Sequence, residues 1–267
     1  MIEPLNAAHL HHMTKYLAEI LLLFVIVCEL RNGNLRKRIV SIGHGFQVQF
    51  RHGLLMFCAM SIMVIGIFFF DERLKDFIQG GKFLFSHEAL RFGSCLGWPA
   101  YVWTILVIGY IVGMIAKKET ISQYTSGALF SSALTALAAI LLKLVFLRAR
   151  PPANLGPFSF FNLEGLLKGK GMFQSLPSGD VAIIAGACAY VFYLLKDSFW
   201  RWLILLLPLC TAYARISLNK HWPSDTLASI GFSLILGRLV FQNFKIQLTE
   251  KSEYQPKVNE SLMNLSL

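Results

Sequence analysis

Three short clusters in this sequence combine residue types and spacings that could handle a phosphate group. The first is Lys143-Leu-Val-Phe-Leu-Arg-Ala-Arg150-Pro151. Lys143 and Arg150 stand about two helical turns apart, so on a continuous helix they project from one face. Two cations on one stripe of an apolar helix repel each other unless they share an anion, which an arginine can grip with two donors. Snorkelling of both side chains to a membrane interface is the alternative. The second cluster, Pro177-Ser178-Gly179-Asp180, opens an apolar run. A helix N-terminus there offers free N–H groups and a positive dipole end to phosphate oxygens, and Gly179 lets a ligand approach the backbone. Ordinary capping by Ser178 or Asp180 accounts for the same residues. The third is Arg215-Ile-Ser-Leu-Asn-Lys-His221-Trp-Pro-Ser-Asp225. His221 and Asp225 share a face if a helix begins near 221. A carboxylate beside one imidazole nitrogen sets the tautomer and leaves the other nitrogen as nucleophile or base. Each cluster alone has a bland explanation. Together they supply three cations, a helix N-terminus and an oriented histidine, the equipment of phosphoryl transfer.

These clusters need elements that gather them. The chain has 267 residues, 55% hydrophobic, with formal net charge +10 and mean hydropathy +0.55. Its long apolar runs are best explained by a bilayer acting as solvent. The basic residues are scattered between those runs rather than gathered on a polar face, which argues against a nucleic-acid partner. Five cysteines show neither metal-ligand nor redox spacing. The first residues lack the basic start and cleavage site of a signal peptide.

The expected architecture is an all-α membrane protein, a six-transmembrane-helix bundle with spans at about 53–70, 96–116, 124–147, 180–196, 200–217 and 224–242. An additional N-terminal helix at about 16–30, with Glu19 and Glu29 around a short apolar core, reads as amphipathic or partly inserted, with a full span as the alternative. The domain reading is an N-terminal cytoplasmic or interfacial segment 1–50, a membrane domain 51–244 and a polar, mobile tail 245–267. Arg31, Arg36, Lys37, Arg38 and Arg51, then Lys117 and Lys118, then Lys196 and Arg201, then Lys245, Lys251 and Lys257 all fall on one side of this bundle. That side is therefore cytoplasmic. The three clusters then lie at the opposite, periplasmic face of an inner membrane. Trp98, Trp103, Trp200 and Trp202 are expected to anchor at the interfaces. Lys168 and Lys170, in an outer loop, could meet an acidic headgroup, solvated loop charges being the plainer reading.

The joint pattern resembles the type 2 phosphatidic acid phosphatase superfamily, the lipid phosphate phosphatases, whose signature is K-x₆-R-P, P-S-G-H and S-R-x₅-H-x₃-D. Lys143, Arg150 and Pro151 match the first element, Pro177, Ser178 and Gly179 the second, and Arg215, His221 and Asp225 the third, all at the family spacing. The resemblance implies that Lys143, Arg150, Ser178, Gly179 and Arg215 bind the phosphoryl oxygens. It implies that His221 attacks phosphorus to form a phosphohistidine, oriented by Asp225. No metal or other cofactor is implied, and the partners implied are a lipid phosphate substrate and the phospholipid bilayer.

Two positions depart from that pattern. Ala214 stands where the family has serine. Asp180 stands where P-S-G-H has a histidine that protonates the leaving group. An aspartate does so only when protonated, and neighbouring cations with a helix dipole favour its ionised form. A substrate with a good leaving group, such as a prenyl diphosphate or glycolipid phosphate, depends less on that proton than a simple monoester. Three functions follow: a metal-independent lipid phosphatase, a phosphotransferase in which Asp180 serves as base on an acceptor, and a lipid-phosphate binding or transport protein without turnover.

Overall fold

A computed structural model of the chain describes residues 7–31, 54, 58–80, 85–163, 171–196 and 198–264, with backbone alone for 7–15, 17, 18, 21 and 244–264. Arg36, Lys37, Arg38, Arg51, Lys168 and Lys170 lie outside the described residues. The described elements are α1 (Ala7–Arg31), α2 (Cys58–Phe68), α3 (Asp71–Gly80), α4 (His87–Cys95), α5 (Pro99–Ile115), α6 (Glu119–Phe146), α7 (Gly179–Leu194), α8 (Trp200–Ile204), α9 (Leu206–Ser217) and α10 (Pro223–Asn264). No strand occurs among the described residues.

The bundle is built around α7. Its ten residues Val181–Tyr190 are all buried, as expected of a helix apolar on every side. It packs on α6, α10 and α9, with α5 beyond α6 and α1 on α5. Small and hydroxylated residues of α6 make the α6–α7 contact close. The Ser131, Ser132 and Thr135 hydroxyls donate to the Gly186, Ile183 and Ala182 carbonyls at 2.7, 2.8 and 2.9 Å. Such hydroxyl bonds join membrane helices that have no hydrophobic drive between them. The outward faces are apolar instead: Ile105, Ile108 and Ile115 of α5 and Leu137, Ile140 and Leu141 of α6 are exposed.

Among the described residues at least two segments are long and apolar enough to cross a bilayer, Glu119–Ala153 and Pro223–Asn243. The bent pair α4–α5, with 52° between its halves, makes a third if counted as one span. Helices also stand at the other expected positions. α7 has 16 residues, and the expected span 200–217 is broken at Leu205 into α8 and α9. α1 is a 25-residue helix that seats Leu22 and Val25 on α5 and exposes Ile20, Leu23, Phe24, Val27 and Leu30. Its exposed side is thus mainly apolar, while Glu29 is buried and accepts from the Tyr110 hydroxyl at 3.4 Å. α10 continues as helix beyond the expected domain end at 244, to Asn264. Trp103 lies half-buried against the bundle, where its indole N–H donates to Ser132 Oγ at 3.1 Å.

The end of α6 also differs from expectation. The helix stops at Phe146 and does not continue to Arg150, because Leu147 turns left-handed (φ 42°) and returns its N–H to the Lys143 carbonyl at 3.1 Å. Lys143 and Arg150 are therefore not on one helical stripe. Arg150 stands in extended backbone (φ −76°, ψ 158°), held by its N–H to the Met172 carbonyl at 2.8 Å.

Candidate active site

The C-terminal ends of α6 and α9 and the N-terminal ends of α7 and α10 meet at one end of the bundle, and this brings the three sequence clusters together. Ser178 is the N-cap of α7, yet its side chain makes no capping bond. Its N–H donates to the Asp225 carbonyl at 3.3 Å, and the Ser229 hydroxyl donates to the Ser178 carbonyl at 2.9 Å. Gly179 faces Lys143 so closely that a Cβ would lie 3.3 Å from Nζ. The missing side chain at Gly179 leaves the ammonium room to approach the helix N-terminus. Arg150, Asp180, Arg215 and Asp225 are all within electrostatic reach of Lys143.

Arg150 Nε, Ser178 Oγ and Arg215 Nε are among the buried polar atoms of the described residues that have no hydrogen-bond partner. Buried donors left unpaired are costly, so three in one place mark a site that an anion completes. Asp180 does not stand free here. Arg215 Nη1 donates to its carboxylate at 2.7 Å and to Ser94 Oγ at 3.2 Å. The Asp180 backbone is in turn covered by Gly97, at the α4–α5 bend, where a Cβ would collide with the Asp180 carbonyl oxygen.

His221 precedes α10, which starts at Pro223, a residue suited to the first helical position. Asp225 reaches back to the Trp222 N–H at 2.9 Å, the acidic half of a capping box. The His221 Nδ1–H donates to the Ser175 carbonyl at 2.9 Å, with Asp225 Oδ2 further off at 3.6 Å. The other ring nitrogen, Nε2, takes part in neither contact. Burial pushes the imidazole down to about 3, against the pull of Asp225 and with that of Arg215 and Arg150. The ring is neutral at physiological pH, with the lone pair a nucleophile needs.

Residues the sequence reading left without a role complete the site. Arg148 is fully buried and donates to both Asp225 Oδ1 (2.5 Å) and Asp71 Oδ2 (2.6 Å). Its guanidinium lies 4.5, 5.3 and 5.6 Å from the Phe68, Phe160 and Trp222 rings. The Ser175 hydroxyl donates to Asp225 Oδ2 at 2.5 Å. Burial lifts the Asp71 carboxyl above its ordinary range, while Arg148 and Ser224 pull it back. Lys220, beside His221, adds a cation whose pKa is lowered by partial burial and Arg215. Arg148 was visible between Lys143 and Arg150. Asp71 carried no local signal.

An apolar cavity of about 420 Å³ adjoins this cradle, walled by Met60 and Phe68 of α2, Phe146 of α6 and Phe232 of α10. Its wall also includes Leu142, Pro177 and Ala228, the first two adjoining Lys143 and Ser178 in sequence and the third lying about one turn past Asp225.

Residues 125–247 match the model of the PAP2 superfamily. An undecaprenyl-diphosphatase of Sulfolobus acidocaldarius is 34% identical over 77 residues, 28% of this chain and 36% of that protein. The chain thus matches about a third of the length of this curated relative. The crystal structure of a transmembrane PAP2 type phosphatidylglycerolphosphate phosphatase from Bacillus subtilis has the same fold, with TM-score 0.53 and 19% identity over 73% of this chain and 96% of that one. The matched stretch 125–247 holds every residue expected at the site.

Proposed function

We propose that the chain is a membrane phosphatase that hydrolyses a lipid phosphate or diphosphate through a phosphohistidine on His221. The observation that carries this reading is the set of three buried, unpartnered donors beside a neutral histidine. The apolar cavity next to them suits the hydrocarbon part of the substrate. Lys143, Arg150, Ser178, Gly179 and Arg215 bind the phosphoryl oxygens, and their charge is strongest where negative charge builds up in the transition state. Nε2 attacks phosphorus, the P–O bond to the leaving group breaks, and Asp225 balances the positive ring. Water then cleaves the N–P bond and releases phosphate.

The Arg215–Asp180 ion pair shapes the choice of substrate. A carboxylate engaged in an ion pair is a poor proton donor to a leaving group, so leaving groups that depart as stable anions are preferred. This favours a lipid diphosphate, such as a prenyl diphosphate, over glycolipid and glycerophospholipid monoesters. The similarity to an undecaprenyl-diphosphatase points the same way. The same ion pair supports a second reading, a phosphotransferase in which Asp180 takes a proton from an acceptor hydroxyl. Six spans, a cytoplasmic side at Lys117, Lys118, Lys196 and Arg201, and a site at the periplasmic face of an inner membrane complete the proposal.

The test is phosphate release from a panel of lipid diphosphates and monophosphates by the purified chain, with His221→Ala as control. Release without any acceptor supports the phosphatase, and release only with an acceptor the transferase. A chain that binds lipid phosphate but never forms phosphorylated His221 is a binding protein, and the reading fails.

A further inference from the structure

We propose that Asp71, outside the PAP2-matched stretch, is a positioning residue for the His221 nucleophile, acting through Arg148 and Asp225. The inference rests on the phosphatase reading above. Asp71 opens α3 and is fully buried. Its Oδ1 accepts the Ser224 N–H at 2.8 Å, and its Oδ2 accepts Arg148 Nη2 at 2.6 Å and Ser224 Oγ at 2.5 Å. Arg148 has every nitrogen engaged: Nη2 on Asp71, Nη1 on Asp225 Oδ1 and Ser224 Oγ (2.8 Å), and Nε on the Pro157 carbonyl (2.9 Å). Asp225 is equally committed, with Arg148 on Oδ1 and both Ser175 Oγ and the Trp222 N–H on Oδ2. Ser175 closes the chain, since its carbonyl accepts the Nδ1–H of His221.

This chain of contacts fixes both the position and the charge of the nucleophile's support. Asp71, Arg148 and Asp225 sum to one negative charge while His221 is neutral. When the Nε2 lone pair forms the N–P bond, the P–O bond breaks and its electrons leave with the departing oxygen. The ring keeps its Nδ1 proton and becomes cationic, so the cluster reaches zero. Without Asp71, one carboxylate alone faces Arg148, the cluster starts neutral, and the cationic ring loses its counter-charge. Arg148 Nη2 is then left unpaired in a dry box of aromatic rings, free to pull Asp225 out of line. The phosphate cradle shares none of these bonds, so substrate binding is not weakened.

The experiment uses the full chain in detergent with farnesyl diphosphate and phosphatidic acid as substrates and orthovanadate as a probe of the cradle. Asp71→Asn keeps the shape and removes the charge. Its kcat falls about 100-fold, the scale of a slightly misplaced catalytic group. KM and the vanadate inhibition constant stay within about threefold, and Asp71→Glu regains about tenfold of the loss. A folded Asp71→Asn with wild-type kcat overturns the inference, as does a parallel loss of kcat and vanadate affinity, which marks a purely structural role. If Asp71→Asn fails to fold, Ser224→Ala removes one bond each from Asp71 and Arg148 and is read by the same criteria. A wild type inert on both substrates overturns the phosphatase reading and this inference with it, whereas an active wild type with an unaffected Asp71→Asn overturns the inference alone.

Discussion

Replacing Asp180 by asparagine removes the carboxylate that Arg215 holds at 2.7 Å and leaves the side-chain volume almost unchanged. On the proposed reading this carboxylate competes with the substrate phosphate for one guanidinium. Two unit charges about 4 Å apart interact by about 1 kcal/mol in water and about 4 kcal/mol at an effective dielectric of about 20. The pair is partly open, with the two side chains 12% and 26% exposed, so the lower figure applies. Losing about 1 kcal/mol of competition tightens anion binding about fivefold. The assay is the orthovanadate inhibition constant of wild type and Asp180→Asn at pH 7, in low salt and in about 1 M salt, where screening shrinks the difference. In parallel, kcat on a lipid diphosphate falls by less than about tenfold, because its leaving group needs no acid, whereas loss of a true general acid removes about 10²–10⁴-fold. Weaker vanadate binding in Asp180→Asn refutes the competition argument and shows that the carboxylate aims Arg215. A kcat loss beyond about 100-fold refutes the claim that Asp180 is not the proton donor.

Other expected outcomes follow from the same geometry. Gly179→Ala places a methyl 3.3 Å from Lys143 Nζ, and the flexible ammonium yields by a few tenths of an ångström; KM rises about fivefold with a smaller change in kcat, read by steady-state kinetics. Ala228→Phe fills part of the apolar cavity, so KM for long-chain lipids rises about tenfold, roughly the worth of one lost apolar contact, while a short-chain soluble phosphate is unaffected. His221 has its pKa pushed down to about 3 in the fold, below the ordinary value of 6.5. The unfolded chain therefore takes up that proton first. Stability from this group is whole above pH 6.5 and declines as pH falls toward 3, by up to about 1.4 kcal/mol per pH unit. Thermal unfolding midpoints between pH 4 and 7 reveal the slope, and His221→Gln flattens it.

Much of this protein was legible in its residue order. The apolar runs announced a helical membrane protein, since a chain in lipid must satisfy its backbone within helices or a closed barrel. The spacing of Lys143, Arg150, Ser178, Gly179, Arg215, His221 and Asp225 singled out residues that the fold gathers at one end of the bundle, though it did not give the backbone that presents each of them. Tertiary structure decided the rest. Leu147 adopts a left-handed conformation that an L side chain disfavours, and it does so where the Phe146 carbonyl accepts from Phe161 N–H and the Ala149 N–H reaches Ser159. Arg150 therefore enters from an extended segment and not from the helical stripe that periodicity implied. Asp71 and Arg148 are 77 residues apart in the chain, and Ser175 and Asp225 50 apart. Contacts at such separations leave no periodic trace, because only the packing of α3, the Arg148 segment and the start of α10 brings these groups into one dry pocket.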